Sequence, residues 1–304
     1  MLICFAGYSS YLTPIYKNGA KNLIRNYRPI AKLSVIPKIF EWIINDKLSF
    51  FIKEIIPLSQ HGFVSGGSTS TNLVCFTNYV VNALESGQDV DVIYTDFSKA
   101  FDKISHYLLI LKLKAIGIHS SFLNWLSSYL TGRSHFVKIG NVISKNFCAT
   151  SGVPQGSHLG PSLFLLFIID INHLFVNIRD LAFADDLKIF SLINSINDDI
   201  NLQLNLDILC EWCKSNELSL NIKKCKSMRF SRKTISVLPS TYHIDNVALE
   251  RIYEIVDLGA HYDVCHLVTN KASSLLGFIF RNSNDFSDPY TFQISFLCTC
   301  PSST

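Results

Sequence analysis

The 304-residue sequence has no long hydrophobic run. Its longest, Leu163 to Ile169, is too short to span a membrane. Met1-Leu2-Ile3-Cys4-Phe5-Ala6-Gly7 starts apolar but has no basic residue before it and no clear cleavage pattern, so a signal peptide is not expected. Charge is sparse, at 17% of residues, while 48% are hydrophobic. Such a chain buries a sizeable core and is not disordered. There is no internal repeat and no low-complexity linker, so this length holds one large domain or two smaller ones. Nine scattered cysteines, an odd number, give no disulfide framework and fit a reducing compartment. Cys210-Glu211-Trp212-Cys213 has C-x₂-C spacing with Cys225 further on, but no second C-x₂-C or H-x₃-H supplies a fourth zinc ligand. Both cysteines lie on one face of a helical pattern and are expected to be buried thiols. A zinc-binding interaction module would rest on those two residues alone.

Net charge is only +3, but the basic residues are unevenly placed. Residues 1–53 hold Lys17, Lys21, Arg25, Arg28, Lys32, Lys38, Lys47 and Lys53 against Glu41 and Asp46. Residues 223–233 hold Lys223, Lys224, Lys226, Arg229, Arg232 and Lys233 with no acid. Local basic clusters on a near-neutral chain suit a phosphate-bearing partner.

The stretch Leu181-Ala182-Phe183-Ala184-Asp185-Asp186-Leu187-Lys188-Ile189-Phe190 sets two carboxylates side by side between apolar flanks. The flanks read as strands and the acidic pair as the turn between them. Adjacent like charges in an apolar setting repel and resist desolvation. A divalent cation removes both costs, and Mg²⁺ commonly binds one or two carboxylates together with substrate phosphates.

In chain order, Leu12 to Gly19 reads as a short strand ending in a turn. Pro29 pushes Arg28 into extended geometry. A helix begins at Pro37, with Ile39, Phe40, Ile43, Ile44, Leu48 and Phe51 at helical spacing. Residues 60–69 form a glycine-rich loop, after which Ser70 or Thr71 can cap a helix ending near Gly87. Asp89 to Asp96 reads as a strand, and Phe97 to Asp102 turns into a helix. Helices follow over 105–116 and 121–131, then paired strands, Ser134 to Ile139 and Asn146 to Thr150, around Gly140-Asn141. Ser151 to Pro161 is a loop whose glycines and prolines let backbone approach a ligand. An apolar, central helix runs from Pro161 to about Val176, and another from Asp198 to Ser215. Leu218 to Asn221 opens a strand carrying the second basic cluster. A strand at Ile255 to Leu258 and an apolar stretch at Leu275 to Phe280 complete the pattern.

Asp96 lies 89 residues before Asp185, and a folded sheet could bring them together. Three convergent carboxylates, nearby basic residues and a glycine-rich loop form a two-metal phosphoryl-transfer site. Six stretches in order carry a resemblance. They are Asn26-Tyr27-Arg28-Pro29-Ile30, then Gln60-His61-Gly62-Phe63 through Ser68-Thr69, then Asp96-Phe97-Ser98-Lys99-Ala100-Phe101-Asp102. Next come Ser151-Gly152-Val153-Pro154-Gln155-Gly156-Ser157 through Leu159-Gly160-Pro161, Phe183-Ala184-Asp185-Asp186, and Leu220-Asn221 through Lys224-Cys225. Over about residues 12 to 285 the chain resembles the reverse transcriptase domain of non-LTR (LINE-type, jockey-like) retrotransposons, as a truncated copy.

The resemblance implies an α+β fold: the fingers–palm of right-hand polymerases, with an antiparallel palm sheet, helices and a shortened thumb. It divides the chain into an unassigned stretch 1–11, fingers and palm over 12–235, the palm end and partial thumb or connection over 236–285, and an unassigned tail 286–304. It implies RNA-directed DNA polymerisation with two Mg²⁺ ions, on an RNA template, a DNA primer and dNTP, with no membrane partner. The expected setting is intracellular, the nucleus by the element's function. Asp96, Asp185 and Asp186 match the metal-binding catalytic triad. Lys224 matches a basic residue that protonates the leaving pyrophosphate. Arg28, Phe97, Phe101, Gln155 and Gly156 take nucleotide-binding places, with Phe101 screening the sugar 2′ position. An aromatic there argues against an RNA-templated RNA polymerase. Relatives usually carry an arginine in place of Gly67; if it clamps the triphosphate, Gly67→Arg should raise kcat/KM for dNTP. The reading of a different class is a catalytically inactive nucleic-acid-binding remnant.

Overall fold

The computed structural model describes residues 10–131, 133–232 and 241–263. The expectations for 1–9, for Lys233, for Leu275 to Phe280, and for the shortened thumb and tail lie outside them.

Strands Ser10–Tyr16 (β1) and Tyr27–Lys32 (β2) form an antiparallel ladder with Arg28 opposite Ile15. Helix Val35–Ile55 (α1) holds Pro37 in its first turn, where the missing N–H is harmless. Helix Thr69–Glu85 (α2) is capped by Ser68, not by Ser70 or Thr71. The Ser68 hydroxyl accepts from Thr71 N–H, and the Thr71 hydroxyl accepts from Ser68 N–H. Strand Asp89–Asp96 (β3) leads through a left-handed Lys99 into a single 3₁₀ turn, Ala100–Asp102, where a helix was expected. Helices His106–Ala115 (α3) and Ser120–Leu130 (α4) follow. Strand Ser134–Ile139 (β4) pairs parallel with β1 and turns back through Gly140 into Val142–Ile143 (β5). Phe147–Cys148 (β6) then pairs with the start of β4.

The expected helix from Pro161 to Val176 is shorter. It runs Leu159–Phe167 (α5), followed by a 3₁₀ turn at Ile171–Leu174. The Lys112 ammonium ends it, donating to the Phe167 carbonyl at 2.8 Å and to both Asp170 oxygens at 2.7 and 2.9 Å. A cation on the last carbonyls is a natural stop for a helix. Strands Arg179–Phe183 (β7) and Asp186–Ile193 (β8) form the acidic hairpin, and Ile196–Ser215 (α6) follows. The strand expected from Leu218 begins instead at Lys226, as Lys226–Phe230 (β9). Before it the chain closes a turn over Asn221 to Lys224, anchored where Asn221 N–H donates to the Asp96 carbonyl at 2.7 Å. His243–Ile244 (β10) and Val247–Ala248 (β11) form a small hairpin. Glu250–Arg251 (β12) joins β9, and Glu254–Asp257 (β13) pairs with Ala260–Asp263 (β14).

Two sheets organise these elements. The first is β2-β1-β4-β5 with β6 on β4; the second is β12-β9-β3-β8-β7, with β3 central and antiparallel to both neighbours. Alternation along β3 gives the second sheet two apolar faces. Ile93, with Leu187 and Ile189 of β8, packs into a core shared with α3, α4, α5 and α6. Val90, Val92 and Tyr94, with Phe190, Met228 and Phe230, pack against Phe76 of α2 and Tyr262 of β14. A sheet covered on both faces is rigid, and its strand ends make a fixed platform. On α6, Cys210 and Cys213 are buried free thiols. Burial pushes them up to about 11 and about 12, so they stay protonated, as the buried-thiol reading expects. No helix among the described residues is long and apolar enough to cross a membrane.

Candidate active site

The acidic stretch is a two-residue hairpin with its turn one place earlier than the sequence implies. Phe183 pairs with Asp186, so Ala184 and Asp185 form the turn and Asp186 opens β8. Ala184 sits at φ 57°, a left-handed conformation unusual for a residue with a Cβ. A buried amide holds it there. Gln60 Oε1 accepts from Ala184 N–H at 2.9 Å and from Gly62 N–H at 2.8 Å, and its Nε2 donates to the Ala184 carbonyl at 3.4 Å. Gly62 is needed for this approach, since a Cβ there would lie 2.2 Å from Ala184 N.

The turn delivers the acids to one place. Asp96, the last residue of β3, is the direct cross-strand partner of Asp186. Asp185 leads into β8 beside them and feels the Asp96 charge. Its carboxyl is raised from the ordinary carboxylate value, first by burial and then by Asp96, against the opposing pull of Arg28 and Lys17. Asp186 is the most exposed of the three, yet its carboxyl is pushed up to about 6. Loss of solvent around the group is the largest cause; the charges of Asp185, Asp257 and Asp96 add to it.

These residues fit a hard divalent cation. The donors are all carboxylate oxygens, the type Mg²⁺ takes. Like charges at directly opposed ladder positions destabilise a sheet unless something neutralises them. Among the described residues no three His, Cys, Asp or Glu side chains, the acidic triad included, are gathered closely enough to hold a metal ion together. Asp96 is instead engaged by Lys224, whose ammonium reaches its two oxygens at 3.1 and 3.2 Å.

The remaining expected residues distribute as follows. Arg28 is exposed on β2 and acts electrostatically on Asp185. Phe101 stacks on Phe164, with centroids 4.5 Å apart, and meets Phe63 edge-on. Phe97 differs from expectation: only 4% exposed, its ring belongs to the core beneath the acidic turn and is not free to meet a nucleotide. Gln155 donates to Asp102 Oδ1 at 2.8 Å, and its carbonyl accepts from Ala31 N–H at 2.7 Å. Its loop is thus stitched between β2 and the segment after β3. Gly156, at φ 100°, follows on the exposed side. Gly67 has no room for the expected arginine, because a Cβ would lie 2.3 Å from the His61 carbonyl oxygen.

The structure adds residues that the motifs did not single out. Lys188 stands two places after Asp186 on the same strand face. It is buried, forms an ion pair with Asp257 of β13 and lies 4.7 Å from the centre of the Phe76 ring. Period-two alternation on β8 puts Lys188 on the face of Asp186, while its partner Asp257 lies far away in sequence. A cleft of about 400 Å³ opens beside the acids, lined by Asp96, Asp186, Lys188, Lys223, Lys224, Lys226 and β13. Lys17, near the end of the β1–β2 ladder, joins Arg28 in acting on Asp185.

The family described as reverse transcriptase (RNA-dependent DNA polymerase) matches residues 15–280. A probable RNA-directed DNA polymerase from transposon BS of Drosophila melanogaster is 31% identical over 78% of this chain and 27% of its own length. The RNA-directed DNA polymerase from mobile element jockey of the same organism is 28% identical over 74% of this chain and 26% of its own. The chain thus spans about a quarter of the length of these relatives. Among solved structures, apo telomerase from Candida tropicalis superposes with a TM-score of 0.58 at 11% identity, over 88% of this chain and 49% of that one. The shared fold is mixed α/β with antiparallel-rich sheets, the fingers–palm arrangement of right-hand polymerases.

Proposed function

The chain belongs to the reverse transcriptase family, and from that premise we propose that it copies RNA into DNA, joining dNTPs to a primer 3′-hydroxyl. One observation supports this most strongly: Asp96 and Asp186 are cross-strand partners with Asp185 beside them, at the open end of a rigid sheet.

In this reading Asp96, Asp185 and Asp186 hold two Mg²⁺ ions. When bound, such ions supply Lewis-acid charge to the attacking hydroxyl and the leaving phosphate. Arg28 and Lys17, which already act on Asp185, face the triphosphate from the fingers side. The Gln155–Gly156 loop, tied to β2, lies along template and incoming nucleotide and keeps the fingers in register with the palm. The Phe101 ring, held by Phe164 and Phe63, fills the space a ribose 2′-hydroxyl would need. The primer oxygen bonds the α-phosphorus, the bond to the pyrophosphate oxygen breaks, and Lys224 gives a proton to that leaving group while water takes the primer proton. The basic residues of the fingers and of 223–232 bind template and primer phosphates.

The test is extension of a labelled DNA primer annealed to an RNA template, with dNTP and Mg²⁺, by the purified chain. Extension supports the reading. Template binding without extension would favour the inactive nucleic-acid-binding remnant.

A further inference from the structure

Lys224 and Asp96 meet in a way that a general ion pair does not require. The ammonium is forked between both carboxylate oxygens, at 3.1 and 3.2 Å. Among the described residues, neither Asp185 nor Asp186 forms an ion pair of its own, so this is the one direct neutralisation inside the acidic group. Of the three other lysines lining the cleft, Lys188 is held by Asp257 and Lys226 by Glu250, and Lys223 forms no ion pair with Asp96, Asp185 or Asp186.

The backbone beneath Lys224 is fixed to the strand that carries Asp96. Ser98 N–H donates to the Ser219 carbonyl and Asn221 N–H to the Asp96 carbonyl, both at 2.7 Å, and Lys224 N–H closes the turn on the Asn221 carbonyl at 2.8 Å. The side chain itself is 53% exposed, and beside it lies the open cleft of about 400 Å³. The lysine can therefore leave Asp96 by rotating about its own side-chain bonds, with no movement of the sheet.

We propose that Lys224 is a placeholder for metal at Asp96: it neutralises this carboxylate in the metal-free chain, yields to a divalent cation, and is then released into the cleft. The inference rests on the polymerase reading of the acidic group and adds an ordering to it. An ammonium between the two oxygens and a cation on the same oxygens exclude each other by charge and by space. Metal loading thus frees the lysine only when a ligated site needs a donor for the leaving group. An exposed ion pair is weak enough to be displaced. Lys224 acts here as a positioning residue through Asp96.

The experiment is Mn²⁺ binding to the full 304-residue chain, with free Mn²⁺ read by electron paramagnetic resonance at constant ionic strength. Lys224→Met should bind Mn²⁺ about 2- to 5-fold more tightly than the parent, the range set by an exposed ion pair. Lys224→Arg, which keeps a charged fork on the carboxylate, should stay close to the parent. Asp96→Asn should lose affinity. Lys224→Gln repeats the neutral substitution should the methionine disturb folding, judged by circular dichroism. Equal or weaker binding by both neutral variants overturns the placeholder, while loss of binding in Asp96→Asn leaves the metal site itself standing. Equal binding by Asp96→Asn and the parent, or no binding by any variant, overturns the metal site and the placeholder together.

Discussion

Asp96 and Asp186 face each other across the ladder between β3 and β8, two carboxylates at paired positions. No other pair on this ladder sets two carboxylates against each other, and three are apolar on both sides: Val90 with Leu192, Val92 with Phe190 and Ile93 with Ile189. The sheet therefore spends stability at this end, and the metal-free chain carries the cost.

Neutralising one of the pair should return part of that stability. Asp186→Asn should stabilise the chain in EDTA by about 1 kcal/mol, a value reduced for the group's exposure to solvent. The parent should gain stability when Mg²⁺ is added, by about 2.7 kcal/mol at a hundredfold excess over Kd. The variant should gain much less. Urea unfolding with and without Mg²⁺ measures both.

The Gln60 clasp predicts a larger loss in the opposite direction. Gln60→Leu leaves Ala184 N–H and Gly62 N–H without their acceptor. Each buried, unsatisfied group costs about 1–3 kcal/mol. The substitution should lower unfolding free energy by an amount in that range or above, and should abolish extension, because the left-handed Ala184 turn is what aims Asp185. Urea midpoints and primer extension on the same preparation check this.

The buried pair of Lys188 and Asp257 should behave as a unit. Asp257→Ala strands an ammonium beneath the site and should cost about 3–5 kcal/mol. Lys188→Met strands the carboxylate instead. The double variant Lys188→Met with Asp257→Leu should be more stable than either single one. A double-mutant cycle in urea gives the coupling; simple additivity would mean that the two groups do not act together.

Two buried histidines set a pH dependence. Burial lowers His61 and His135 from their ordinary value, with Lys188 adding to the effect at His61 and Arg133 at His135. Below the unfolded pKa of about 6.5 the unfolded chain binds protons that the native state refuses. Stability should therefore be complete above that pH and fall as pH drops through it, by up to about 1.4 kcal/mol per unit for each histidine. His135→Gln should flatten this slope in urea midpoints between pH 5 and 8; the difference from the parent isolates it from Asp186, whose raised carboxyl acts in the opposite sense in the lower part of that range.

Much of this site was legible because its signals are local. Apolar residues on both sides of Asp185-Asp186 marked a hairpin, and Asp89 to Asp96 alternated into a strand ending on an acid. The position of the turn was not legible. Ala184 carries no sign of a left-handed conformation, which is imposed by an amide 124 residues away. Gly67 was read against its relatives as a missing arginine, whereas the nearby His61 carbonyl excludes any side chain from that position. Phe97 was placed at the nucleotide by its motif, but its place after β3 turns the ring into the core. The Lys188–Asp257 pair joins β8 to a hairpin 69 residues later, and no spacing rule connects them. Local pattern thus located the acids, while long-range contacts decide how each is held.

The most direct test of the polymerase assignment is extension of a DNA primer on an RNA template with Mg²⁺, comparing the parent chain with Asp185→Asn. Removing this carboxylate takes away one of the three groups proposed to hold metal and leaves the apolar supports of the hairpin in place. The account predicts extension by the parent and none by the variant, with matching circular dichroism spectra. Equal extension by a folded Asp185→Asn variant would contradict it.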